Sequence, residues 1–200
     1  MRKLLAIFLL IGSPAARPDS CVLPLTAGYV SEDGTSVVRI EFGWPENMGP
    51  APRQMQMPTK CVASIARWNE KEKSYRFLRS VVLRNRIGPS TAVISNDARF
   101  LVTFDEFCES GMSENDVVIY DLEKDITVAC GIEDFLPKSF RESLRRSVSS
   151  IYWRDQHPYL NDEDRKVRIY RNPYGNGKGD FSVVVDLTSY SITLDPPQPQ

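Results

Sequence analysis

The stretch Thr91-Ala-Val-Ile-Ser-Asn-Asp-Ala-Arg-Phe-Leu-Val-Thr-Phe-Asp105, answered by Val117-Val-Ile-Tyr-Asp-Leu122, constrains the fold of this chain more than any other. β-Branched and aromatic residues run on both sides of the polar triplet Ser95-Asn-Asp97, so the first half reads as strand, turn, strand. The second half reads as a following strand that ends in an acidic turn. Short strands joined this way form an antiparallel meander. The same period-two patterning recurs along the chain and predicts strands at 28–30, 36–42, 62–68, 74–83, 92–95, 99–105, 116–121, 126–130, 149–154, 166–170, 181–186 and 191–194. Ser31-Glu-Asp-Gly34, Asn69-Glu-Lys-Glu-Lys73, Asn161-Asp162 and the glycine-rich 172–179 segment separate them. Residues 44–58, with four prolines, read as an extended loop. Helix is scarce: one turn at 132–136, stopped by Pro137, and a short helix at 139–146 with Ser139 as its cap.

The chain begins with Arg2 and Lys3, eight apolar residues at 4–11, and the small residues Gly12-Ser13-Pro14-Ala15-Ala16. This is the pattern of an export signal. Cleavage is expected after Ala15, leaving one β-rich domain over 16–194 and a disordered Pro/Gln tail at 195–200. Eight apolar residues are far short of the ~20 that span a bilayer, so no membrane span is expected. The residues before Cys21, Pro18-Asp19-Ser20, depart from the small and aliphatic pattern of a lipid-modified cysteine. The expected location is therefore secreted or periplasmic. The 25 basic and 26 acidic residues give a net charge of −1, without the basic excess that nucleic-acid binding calls for.

Four cysteines in an oxidising compartment point to disulfides, and three pairings are possible. Cys108 with Cys130 is the best local pair, with Cys108 in a loop, and Cys21 with Cys61 follows by elimination. With no C-x-x-C spacing and His157 the sole histidine, the sequence predicts no metal centre and no cofactor.

Residues 89–105 and 146–170 each run strand, turn, strand, and each leads into a further pair, 116–130 and 181–194. Each composite makes a four-stranded unit, and 62–83 looks like the last two strands of another. Here the chain resembles β-propeller proteins. Ile94-Ser-Asn-Asp-Ala-Arg-Phe-Leu-Val-Thr-Phe104 is similar to the Ser-x-Asp-Gly hairpin of exported propeller blades, with Ala98 where glycine is usual. Val118-Ile-Tyr-Asp-Leu122 matches their strand end. The resemblance covers about half the chain and implies blade-like sheets but no activity. Some 185 mature residues make about three blades of ~40, whereas propellers close with about four to eight. The expected fold is thus all-β: antiparallel meanders in an incomplete or small propeller-like arrangement with one or two short helices. A β-sandwich is the alternative.

The residues read for chemistry are acids and aromatics. Asp105 and Glu106, with Glu109, Glu114 and Asp116, bracket one loop and concentrate negative charge at a rim. Tyr152 and Trp153 point to opposite faces if 149–154 is a strand, one towards the core and one towards solvent. Asp105, Glu106, Tyr152, Trp153 and Arg154 are the expected binding residues. Gly175-Asn-Gly-Lys-Gly179 lacks phosphate-loop spacing, and no Gly-x-Ser-x-Gly occurs for a serine nucleophile. The function expected from the sequence is an exported, non-enzymatic binding or assembly module that self-associates or takes a protein partner. A carbohydrate-active hydrolase built on clustered acids is the alternative.

Overall fold

The computed structural model describes residues 26–44, 58–154, 157–170 and 182–195. The expected leader, Cys21, most of the proline-rich loop, the 172–179 segment and the tail beyond Asp195 lie outside those residues. The elements run β1 (Thr26–Val30), β2 (Ser36–Glu41), β3 (Val62–Asn69), β4 (Ser74–Val82), β5 (Pro89–Ile94), β6 (Phe100–Glu106), β7 (Val117–Asp121), β8 (Ile126–Cys130), α1 (Ile132–Phe135), α2 (Lys138–Ser143), β9 (Tyr159–Asn161), β10 (Lys166–Tyr170), β11 (Ser182–Asp186) and β12 (Ser191–Asp195). They form three four-stranded antiparallel meanders, β1–β4, β5–β8 and β9–β12, each in sequence order. Their first strands meet: β5 touches both β1 and β9.

The middle sheet shows why its sequence is the most apolar. Every residue of β6 and β7 is buried, because both faces are covered. Alternation then sorts the side chains. Leu101, Val118 and Tyr120 join Val38, Ile40, Ala63 and Ile65 of the first sheet in one core. Phe100, Val102, Phe104, Val117 and Ile119 join Val167, Ile169, Val183 and Val185 of the third sheet in another. Two outer sheets flank one inner sheet, so the chain forms a three-sheet fan and not a two-sheet sandwich.

Hairpin turns repeat from sheet to sheet. In the first, Ser31 Oγ donates to Asp33 Oδ1 (2.9 Å), the Ser36 amide to Ser31 Oγ (2.9 Å) and the Thr35 amide to Asp33 Oδ1 (2.8 Å). Ser95, Asp97, Phe100 and Arg99 make the same three bonds in the second, at 2.7, 2.9 and 3.0 Å. Gly34 and Ala98 hold the same left-handed position, φ +75° and +61°. These turns also bond to one another. Thr35 and Ser36 hydroxyls donate to the Asn96 carbonyl (2.7 Å each), the Asn96 amide donates to Asp162 (2.9 Å), and Arg165 bridges Asp162 and Asp97. The β3–β4, β7–β8 and β11–β12 turns repeat too. Asn69, Asp121 and Asp186 each accept two amides, and each is followed four residues on by a left-handed residue, Lys73, Asp125 and Tyr190.

The expectation that 62–83 supplies the last two strands of a unit holds, with β1 and β2 as the two ahead of it. Three other expectations are corrected. The expected strand at 149–154 is a connector that, among the described residues, makes one ladder contact, a bridge between Arg146 and Ile151, and the third sheet starts at β9. Ile151 and Trp153 mimic a strand because they face the second core. The second helix starts at Lys138 with Pro137 as its N-cap, two residues earlier than a Ser139 cap allows. Finally, Cys61 is buried, Cys130 is half-buried, and both are free thiols. The structure therefore forms neither the Cys108–Cys130 nor the Cys21–Cys61 pair.

Candidate functional site

Each sheet has a hairpin end and a connector end, and the chain passes between sheets at the connector end. Three carboxylates at the connector end of β6 and β7 hold those passages in place. Asp105, Glu106 and Asp116 are all completely buried, and a buried carboxylate is stable only when its oxygens are satisfied.

Asp105 anchors the connector into the third sheet. Its Oδ1 accepts from Trp153 Nε1 at 2.7 Å and from the Gly111 amide at 3.1 Å, and its Oδ2 accepts from Arg154 Nε at 2.7 Å. Gly111 is required twice over. Its φ is +67°, and a Cβ there would lie 2.8 Å from the Ile151 carbonyl and 3.0 Å from the Trp153 ring. Glu106 faces the other connector. It accepts from the amides of Arg86, Ile87 and Gly88 at 2.9, 2.8 and 3.2 Å. Asn85 completes that side, donating to the Asp105 carbonyl and accepting from Thr103. Asp116 accepts from the amides of Ser113 and Ile132, tying the β6–β7 loop to the start of α1.

Burial raises the proton affinity of two of these acids, Asp116 and Glu106. For Asp116 burial is the main cause, the nearby Asp105 charge adds to it, and the two amides offset it only in part, so its pKa is pushed up to about 8. Burial likewise raises Glu106 against the pull of its three amides.

The structure thus brings together Asp105, Trp153 and Arg154 of the expected binding residues. Glu106 lies next in the chain but faces the other way. Tyr152 is 39% exposed and Trp153 2%, the core-and-solvent split expected of that pair, with Arg145 stacked over the Tyr152 ring. The acids do not form an open rim: Asp105, Glu106 and Asp116 point inward. Among the described residues, no three His, Cys, Asp or Glu side chains converge as metal ligands, and no helix is long and apolar enough to cross a membrane.

The second notable surface was not singled out by the sequence: the outer face of the first sheet. Register places Val30, Val37, Ala66 and Phe77 in one row across β1–β4, on the side away from the core. Val30 is 62% exposed, Phe77 61% and Val82 56%. Trp68 and Tyr75 pack edge-to-face beside them, centroids 5.2 Å apart. A shallow depression of about 560 Å³ runs over Gly28, Val30, Val37, Ala66 and Phe77. The signal was present in β4, where Tyr75, Phe77, Leu78, Val81 and Val82 place apolar residues on both parities. A register shift at Ile65/Ala66 lets the strand do so. No protein-family model and no curated protein matches the chain.

Proposed function

We propose that this chain is an exported, non-enzymatic binding or assembly module whose docking surface is the outer face of the first sheet. One observation carries the reading: a row of exposed apolar side chains on an otherwise regular sheet, of the kind that marks interaction surfaces. The connector-end carboxylates support it from the other side. A hydrolase needs two carboxyls open to a sugar across a cleft, whereas Asp105 and Glu106 are committed to holding inter-sheet connectors. The leader-like N-terminus favours export, and in the oxidising compartment to which it leads a disulfide at Cys108 would persist. With Cys61 and Cys130 free, Cys21 is the partner this reading assigns to Cys108. Non-reducing peptide mapping should recover the Cys21–Cys108 pair.

The docking surface is tested with an apolar fluorescent dye at micromolar protein. The native chain should enhance its emission, and Phe77→Lys should abolish most of that enhancement while leaving circular dichroism unchanged. An enhancement indifferent to Phe77→Lys overturns the reading.

A further inference from the structure

The two outward faces of the fan are chemically unlike. Register puts Tyr159, Lys166, Arg168, Asp186, Thr193 and Asp195 on the outer face of the third sheet. Polar and charged side chains dominate there around one aliphatic residue, Val184, which is itself buried, and Arg168 pairs with Asp164 and Asp195. The first sheet's outer face carries the apolar row instead. A ring closed by two copies, with the third sheet of one against the first sheet of the other, would set a charged face on an apolar one. It would strand Lys166 and Arg168 away from water, at a cost that pairing offsets only with good geometry.

We infer that the outer face of the first sheet binds the same face of a second copy, about a two-fold axis. This rests on the docking reading above and names its occupant. Three observations favour a second copy. First, the four other apolar sheet faces of this molecule pair off in two cores, each covered by another four-stranded sheet of the same chain, so a like sheet is what the surface fits. Second, Arg39 and Glu41 sit side by side on that face, paired at 2.7 Å and both partly exposed. A two-fold brings each opposite the other's counterpart, so the charge on the face is complementary to itself. Third, the size suits a reversible contact. Four strands ~4.8 Å apart and five to nine residues long give a plan area on the order of 450 Å² per copy. That sits at the low end of specific interfaces, so the dimer should exchange with monomer at micromolar concentrations.

The test is sedimentation velocity of the full chain, lacking only its leader, between about 1 and 500 µM, the range an interface of this size implies. The sedimentation coefficient should rise with concentration from monomer to dimer. Phe77→Lys and, separately, Val82→Glu should weaken the association by tenfold or more, whereas Thr193→Lys on the third sheet's face should leave it unchanged. The dye emission should fall per molecule as the dimer forms. A dimer lost in Thr193→Lys but kept in the other two means ring closure or another contact, and overturns the inference. A monomer throughout the range, with dye enhancement still abolished by Phe77→Lys, overturns the second copy and leaves the docking surface standing. A dye signal indifferent to Phe77→Lys overturns both.

Discussion

Asp121 and Asp116 sit at opposite ends of β7, five residues apart, and both are buried. At the hairpin end Asp121 meets Arg99 at 3.0 Å and accepts from the Tyr190 hydroxyl at 2.7 Å and from two turn amides. Burial alone would raise its pKa, but the Arg99 and Tyr190 bonds win and hold it well below the usual carboxylate range. At the connector end Asp116 has two amides, no ion pair among the described residues, and Asp105 as a neighbour, and its pKa rises to about 8. The residue type and strand are the same. The difference lies in what each end must do. Hairpin turns repeat and lie side by side, so Asp121 gains Arg99 from the β5–β6 turn and Tyr190 from the β11–β12 turn besides the two amides of its own turn. Connectors bring in distant chain, and a buried acid there takes whatever the passing backbone offers.

The largest effect should come from removing Asp105, the connector-end acid that forms an ion pair, with Arg154. Asp105→Ala leaves Arg154, Trp153 Nε1 and the Gly111 amide without their acceptor and should destabilise the fold by about 3–5 kcal/mol in denaturant unfolding. Asp97→Ala at a hairpin turn, half-exposed, should cost only about 1–2 kcal/mol. Equal losses would erase the distinction between the two ends.

The pH dependences should run in opposite directions. Asp116 stays protonated in the native state well above its unfolded value of 3.8, so its effect on stability worsens as pH rises from there to about 8. Asp121 is depressed in the native state, so its contribution is present above pH 4 and lost as pH falls below it. Measured against wild type, Asp116→Asn should gain relative stability between pH 4 and 8. Asp121→Asn should lose most at neutral pH and converge with wild type in acid.

A finer probe is Trp153→Phe, which keeps a ring in the second core and deletes the 2.7 Å bond to Asp105. A loss of about 1–2 kcal/mol is expected; none would mean the ring alone fixes the connector. Smallest is Gly34→Ala. Nothing lies within 4 Å of a Cβ there, yet φ is +75°, so thermal unfolding should report about 1 kcal/mol of backbone strain alone. Ala98 already bears that strain at the equivalent turn.

Most of the strands were legible because their signal is local. Alternation in 36–42, 62–68 and 166–170, with Asp, Asn and Gly between, is read from neighbours in sequence. The Trp153 segment misled because an apolar run towards a core looks alike whether it pairs with a strand or merely passes. The cysteines misled for a related reason. Cys130 ends the outermost strand of its sheet and Cys61 precedes β3 inside the first core, positions set by sheet stacking. Asp105, Trp153 and Arg154 were each visible as chemistry-bearing residues, but their meeting 48 and 49 residues apart was not.

By itself, then, the sequence determined the strands, the turns that join them and the all-β class, since a two-residue period and turn chemistry act over a few residues. Only the tertiary structure decided which sheet faces were covered, which acids were buried, and that one apolar face was left outward. Those outcomes depend on which surfaces stack, and stacking joins residues that no local pattern relates.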